Sequence, residues 1–206
     1  MSLLAACVVA ALAASAGFVV ATRAAAAGSR RASRPGVEGS GPTELRAVGP
    51  VEDPFVGLPI ALGDVVSVGG EERWLAGGLV LREGGRVVAA VLTAPEGATV
   101  QAVAVFAPPE RAVWWLVPVD LEAPPDPPAT IELRGLALRR RRRLPVEVDR
   151  LGQGAPSVAE GALFATYEGG GRDVAVVIVA GGVAHAWVGQ RRDEGEYDRL
   201  GAGGSG

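Results

Sequence analysis

The sequence predicts an all-β globular domain, made of two small antiparallel β-units in a barrel- or sandwich-like arrangement, after a single N-terminal transmembrane helix. Three observations predict this class. The stretch from Met1 to Thr22 is apolar and carries no charged side chain. From Leu62 onward, short β-branched runs alternate with Gly-Gly or Pro breaks, which is typical of strands and hairpins. No segment keeps a helical period of about 3.6 residues over several clean turns.

The N-terminal segment, residues 1–22, is long enough to cross a bilayer, because about 20 helical residues span roughly 30 Å. Cys7 ends a lipoprotein-like "LLAAC", but here the apolar core follows the cysteine instead of preceding it. A cleaved signal peptide needs a positive segment before its apolar core, and none is present, although "ATRAAAAG" offers small residues for cleavage. We therefore predict an uncleaved anchor. A domain exported and released from a signal peptide is the alternative.

Arginines directly after the span set the expected orientation. Arg23, Arg30, Arg31 and Arg34 precede the first acidic residue, and positive flanks stay in the cytoplasm. The prediction is a single-pass protein of the bacterial inner membrane, with its N-terminus outside and its globular domain cytoplasmic. Residues 23–50 are predicted to be a linker, first basic and then rich in Gly, Ser and Pro.

Charge and composition exclude several classes of function. From Pro35 onward there are 16 arginines (20 minus 4) against 23 acids, a balance of −7. A nonspecific nucleic-acid-binding domain needs a basic face, so this balance argues against a nucleic-acid partner. One cysteine and one histidine exclude an intrachain disulfide and a Cys/His zinc site from this chain alone. We expect no cofactor and no metal.

The β-domain is predicted over residues 51–202, with a flexible tail over 203–206. Ten to twelve short strands are expected, in sub-units over 58–121 and 129–201 joined by the proline-rich loop "DLEAPPDPPAT". The division rests on an internal echo at an offset of 57 residues: "GLVLREGGRVVAAV" at 78–91 aligns without gaps to "GLALRRRRRLPVEV" at 135–148.

In that alignment, the three central arginines of the five-arginine run, Arg140–Arg142, fall opposite Glu83, Gly84 and Gly85, a predicted hairpin turn. We therefore expect Arg139–Arg143 at an exposed hairpin tip, with Leu138 and Leu144 near the two ends of the turn. A tip held near a membrane could contact anionic headgroups, each arginine contributing about 1 kcal/mol. The candidate lipid-contacting residues are Arg30, Arg31, Arg34, Arg139, Arg140, Arg141, Arg142 and Arg143.

No catalytic set is evident, so the chain is predicted to be a non-enzymatic module that binds another protein. His185 alternates with Val183 and Trp187, which would place all three on one strand face, and we expect a half-buried structural histidine. Trp114, Trp115 and Trp187 are expected in the core. The alternative is an enzyme acting on an envelope-associated substrate, using His185 or an acidic cluster that lacks calcium-loop spacing: Asp193, Glu194, Glu196 and Asp198.

Residues 58–200 resemble the bacterial domain of unknown function 4178 family. The features that carry the resemblance are Gly63-Asp64, Trp74, Gly78 and Glu83-Gly84, then "WWLVPVD", "IELRGLALRRRRRLPVEVDRLG" and "ATYEGGGRDVAVVIVAGGVAHAWVGQRRDEGEYDRL". The chain departs from the family pattern at Arg140–Arg142, where an acid and glycine are usual, and at Ala89–Ala90, where an aromatic residue is common. The resemblance implies no catalytic residues, an N-terminal span, and a role in an envelope-stress-type assembly.

Overall fold

The computed structural model describes residues 53–96, 99–122 and 125–201. The predicted anchor over 1–22, the linker over 23–50 and the tail over 203–206 lie outside the described residues. Within the described ranges, no helix is long and apolar enough to cross a membrane. Twelve strands form there, as expected: β1 Val65–Val68, β2 Glu71–Trp74, β3 Gly77–Glu83, β4 Arg86–Glu96, β5 Thr99–Phe106, β6 Val113–Val119, β7 Thr130–Leu133, β8 Leu136–Gly152, β9 Gly161–Glu168, β10 Asp173–Ala180, β11 Val183–Arg192 and β12 Asp198–Leu200.

Eight of these strands close into one antiparallel barrel, which confirms the all-β prediction in its barrel form. The order around the barrel is β3-β4-β5-β6-β11-β10-β9-β8, and β8 pairs back onto β3. β7 pairs with the start of β8, while β12-β1-β2 form a separate three-stranded sheet. Because β6 pairs with β11 and β3 with β8, the two halves of the sequence share one barrel instead of forming two β-units.

The inside of the barrel is filled with side chains from alternate strand positions. On β10, Val174 and Ile178 point inward, while Val177 points outward into a second layer. Trp114 and Trp187 are buried inside and Trp115 is buried in an outer layer, as the sequence predicts for core residues. Since both faces of these strands are covered, they are nearly continuous apolar runs in the sequence.

Two separate structures cover the outside of the barrel. The β12-β1-β2 sheet and the segment before it pack on the outer face of β3 to β6, through buried side chains such as Val66 and Leu75. β7 and the connection that precedes it pack on the outer face of β8 to β11, where Leu133 and Tyr167 belong to one cluster. The proline-rich connection is therefore a cover on the barrel and does not separate two units.

β8 is one continuous strand of 17 residues, so the prediction that Arg139–Arg143 form a hairpin tip is wrong. The hairpin turn lies between β7 and β8, at Arg134–Gly135, where both residues have left-handed φ angles. A β-bulge at Arg141 inserts one extra residue opposite β9 and reverses the alternation of side chains. As a result Leu138 is buried in the outer layer and Leu144 packs on the barrel interior, although both positions are even-numbered.

Candidate functional site

A cleft of about 850 Å³ opens at one mouth of the barrel, beside the last residues of β6 and the first residues of β11. Inward-facing side chains near the strand ends form its floor, including Thr93 on β4, Pro118 on β6 and Trp187 on β11. Pro118 and Trp187 are direct neighbours in the β6–β11 ladder. Because Trp187 is only 4% exposed and belongs to the interior cluster, it separates the cleft from the packed core.

Three carboxylates surround this apolar floor. Asp120 and Glu122 follow β6, and Glu132 lies on β7, which the fold brings to the same opening. Arg134 is the one arginine among the residues that line the cleft, and its guanidinium donates a hydrogen bond to the carbonyl of Pro118 at 3.4 Å. The rim therefore carries a formal charge of about −2, from three acids and one arginine.

His185 lies in the same cleft on the strand face that it shares with Trp187, as the alternation predicts. Its ring is stacked on Trp187, with 6.3 Å between the ring centroids and 27° between the planes. Within the described ranges, His185 makes no hydrogen bond or ion pair with a carboxylate. The ring is half-buried, so one side of it is available to a molecule in the cleft.

The arginine run, Arg139–Arg143, fastens the proline-rich connection to the barrel. The Arg140 guanidinium donates a hydrogen bond to the carbonyl of Pro127. Arg143 Nε donates to Asp126 Oδ1 at 2.6 Å. From the next strand, the Tyr167 hydroxyl donates to the carbonyl of Pro128 at 2.9 Å, and burial raises the pKa of this phenol. Three side chains thus hold three successive residues of the connection.

The other arginines of the run face acids at the barrel end opposite the cleft. Arg141 Nε lies 3.1 Å from Glu168, and one Arg142 guanidinium nitrogen lies 3.6 Å from Glu110 in the β5–β6 loop. Arg139 is opposite Glu168 in the β8–β9 ladder. These acids partly neutralise the run. Contact of its exposed arginines with anionic lipid stays a prediction, and Arg30, Arg31 and Arg34 lie outside the described residues.

The acidic cluster near the C-terminus divides into residues with different neighbours. Asp193 and Glu196 both bind Arg172, and the hydrogen bond from Arg172 lowers the pKa of the Glu196 carboxyl. Glu194 lines a smaller cleft on another side of the barrel, and Asp198 begins β12. In the part of the chain that the structure describes, no group of three His, Cys, Asp or Glu side chains is placed to hold a metal ion.

The acids of the mouth cleft are functional candidates that sequence reasoning missed. Asp120 and Glu122 belong to a proline-rich stretch that has the composition of an ordinary loop, and Glu132 is separated from them by several residues. Their only local signal is that two acids follow the apolar strand "WWLVPV" directly. What makes them a group is the return of β7 to the edge of the barrel, which no local pattern encodes.

Comparisons of this chain with protein-family models, with curated proteins and with solved structures gave no match. The resemblance to the domain of unknown function 4178 family therefore stays a prediction.

Proposed function

We propose that this chain is a non-enzymatic binding module, anchored at the cytoplasmic face of the bacterial inner membrane, and that the mouth cleft holds a basic segment of a protein partner. The observation that carries the proposal is the composition of the cleft. Asp120, Glu122 and Glu132 surround the apolar and aromatic floor of a cleft of about 850 Å³. This volume lies within the range of about 300–1,000 Å³ that is usual for binding pockets.

The chemistry of the cleft favours a cationic side chain with apolar neighbours. Carboxylates on the rim attract lysine or arginine and steer the approach of a basic segment, although each exposed pair contributes only about 0.2–1 kcal/mol. Most of the affinity would come from apolar contacts with Pro118 and the edge of the His185–Trp187 stack. An acidic partner would be repelled by the same rim, so the cleft discriminates by the sign of charge.

Two further observations support a module that binds without catalysis. His185 has no carboxylate partner among the described residues that would orient it as a general base. The stacking of its ring on Trp187 gives this histidine a packing role. The anchor, the cytoplasmic position and an envelope-stress-type assembly are inferred from the sequence, and they form the cellular part of the proposal.

The cleft can be tested by removing its charges without changing its shape. The test variant is Asp120→Asn, Glu122→Gln and Glu132→Gln, and the matched control is Asp198→Asn, Glu72→Gln and Glu83→Gln, three exposed acids elsewhere. In affinity purification from membranes, we expect wild type and control to recover the same partner, bound through a basic segment, and the test variant to lose it. Equal recovery of the partner by all three proteins would exclude the mouth cleft as its binding site. Recovery of the bait alone under several extraction conditions would count against a binding module.

One observation favours an enzyme acting on an envelope-associated substrate as the second candidate. The only histidine of the chain lies in the same cleft as three carboxylates. The variant His185→Gln separates the two functions. In a binding module, complementation of a deletion strain should follow partner recovery, so that both are kept or both are reduced. Loss of complementation with unchanged partner recovery and unchanged melting temperature would favour the enzyme.

The cellular part of the proposal has its own test. A reporter that is active only in the periplasm, fused after Gly206, is expected to be silent because the arginines after the span keep the domain in the cytoplasm. A second reporter that is active only in the cytoplasm, fused at the same position, is expected to be active. The reverse pair of results would favour the exported domain.

A further inference from the structure

A second, smaller cleft lies between the barrel and the three-stranded sheet, away from the mouth. Its volume is about 330 Å³. Val113 at the start of β6 and Arg192 at the end of β11 form the barrel side, and they are neighbours in the β6–β11 ladder. The segment 57–59 and Arg199 on β12 form the opposite side.

Three arginines line this small cleft, and within the described ranges one of them, Arg199, has an ion-pair partner. Arg199 pairs with the buried carboxylate of Asp64, with 2.7 Å between Nε and Oδ2, and also donates to the carbonyl of Pro59. Arg111 and Arg192 have no ion-pair partner among the described residues. The Nε of Arg192 is buried without a hydrogen-bond acceptor in the same part of the chain. Leaving a buried donor without an acceptor is costly, so the described protein groups do not fully satisfy this guanidinium.

The backbone at Arg111 places its side chain at the rim of the cleft. Its φ of 43° lies in the left-handed region, which glycine adopts easily and arginine only at an energetic cost. The position brings an otherwise unpaired guanidinium to the rim of the cleft.

The remaining polar groups leave the cleft with excess positive charge. Glu194 is the acid that lines it, against the two free guanidiniums of Arg111 and Arg192. Tyr197 also lines the cleft, and burial, followed by the charge of Glu194, raises the pKa of its phenol, so the hydroxyl stays protonated and can donate at neutral pH. Cationic side chains therefore outnumber anionic ones around a space that is large enough for a small ligand.

We propose that this cleft binds a phosphate-type oxyanion, carried by a small metabolite or by a lipid headgroup. Guanidinium groups form bidentate, charge-assisted hydrogen bonds with phosphate oxygens, and a phosphate presents more oxygens to several donors than a carboxylate does. The site is separate from the acidic mouth cleft, whose charge has the opposite sign, and it does not depend on the function proposed for that cleft.

Inorganic phosphate is the first probe, titrated against the full chain in detergent at an ionic strength held constant with chloride. We expect phosphate to raise the melting temperature of the wild-type protein. Arg111→Gly should melt at or above the wild-type temperature without phosphate, because glycine accepts the left-handed φ, and its affinity for phosphate should fall about tenfold. Arg192→Gln should show a similar loss of affinity.

Arg86→Gln is the matched control, since Arg86 is exposed in the β3–β4 hairpin and the substitution changes the net charge equally. It should bind phosphate as the wild type does. The inference is overturned if phosphate does not stabilise the wild-type chain, or if Arg111→Gly and Arg192→Gln bind phosphate as tightly as the control. Arg111→Gly keeps the test decisive if Arg192→Gln fails to fold.

Two further probes distinguish the sources of the phosphate. Glycerol 3-phosphate carries the headgroup alone, and dihexanoyl phosphatidic acid adds two short acyl chains. Equal affinity for both would identify a soluble phosphorylated metabolite, while much tighter binding of the lipid would identify a headgroup at the membrane surface. In either case the affinity must fall about tenfold in Arg111→Gly and stay unchanged in Arg86→Gln.

Discussion

Arg73 on β2 is a buried cation that joins the three-stranded sheet to the barrel. It is 3% exposed, and its Nη1 donates to the carbonyls of Ala102 at 3.0 Å and Leu116 at 3.2 Å. Its guanidinium carbon lies 3.6 Å from the centre of the Trp115 ring, a cation–π contact. Burial lowers the pKa of Arg73 to about 10, partly offset by Glu71 and Glu96, so the side chain is still charged at neutral pH.

Replacing this cation should weaken the contact between the two layers. Arg73→Met keeps most of the stem packing but removes the hydrogen bonds and the cation–π contact, and we expect the free energy of unfolding to fall by about 2 kcal/mol. Urea unfolding followed by tryptophan fluorescence measures this difference. Arg86→Met, at an exposed position, is the control and should differ from wild type by less than about 0.5 kcal/mol. Equal stability of the two variants would contradict a role for Arg73 in holding the layers together.

At the scale of single elements, β8 shows how one strand can belong to two layers. Its first residues pair with β7 in the outer cover, and its last residues pair with β3 in the barrel wall. The bulge at Arg141 makes this possible, because one extra residue turns the apolar side of the strand from the outer layer to the interior. The exposed arginines lie where the strand changes from one layer to the other.

The bulge makes a prediction opposite to that of a hairpin tip. If Arg140–Arg142 formed a turn, replacing them by Glu-Gly-Gly would leave stability nearly unchanged. In the observed strand, two interior glycines cost about 0.5–1 kcal/mol each, and loss of the Arg140–Pro127 hydrogen bond costs about 1 kcal/mol. We therefore expect urea unfolding to show a loss of about 2–3 kcal/mol. Arg140→Met measures the contribution of the hydrogen bond alone. An unchanged unfolding midpoint for the triple variant would support a hairpin turn at Arg140–Arg142 and contradict the continuous strand.

At the scale of the whole molecule, the barrel closes where two glycines meet. Gly77 at the start of β3 pairs with Gly152 at the end of β8. A Cβ added at Gly77 would lie 2.0 Å from the carbonyl oxygen of Gln153, which is backbone and cannot move away cheaply. Gly152 has a φ of 64°, and the Gln153 amide donates to the carbonyl of Ala76 across the same seam. The two strands approach this closely because neither pairing residue has a side chain.

A single methyl group at this seam should therefore destabilise the closed barrel. Gly77→Ala is expected to lower the free energy of unfolding by about 2–3 kcal/mol, in the range of overpacking substitutions. Gly161→Ala is the matched control, because a Cβ there meets nothing within 4 Å, and it should change stability by less than about 0.5 kcal/mol. Thermal and urea unfolding of the two variants side by side provide the comparison. A Gly77→Ala protein as stable as Gly161→Ala would contradict the close backbone approach between β3 and β8 at Gly77 and Gly152.

Local patterns in the sequence determined the class of fold, the number of strands and the burial of the tryptophans. They were readable because they depend on neighbours in the chain: β-branched runs favour strands, and Gly84-Gly85 and Gly181-Gly182 have the left-handed φ angles that tight turns require. The shared face of His185 and Trp187 follows from the same period of two.

Only the tertiary structure decided what the arginine run does, where the barrel closes and which acids form a cleft. Each of these depends on pairing between residues that are distant in sequence, such as Gly77 with Gly152. The bulge at Arg141 adds one residue without a local signature, yet it reverses the face of every side chain that follows it in β8. The internal similarity between residues 78–91 and 135–148 predicted a turn at Arg140–Arg142, because similar residues were assumed to have similar pairing partners. In the barrel β3 and β8 are partners of each other, so the two copies have different environments.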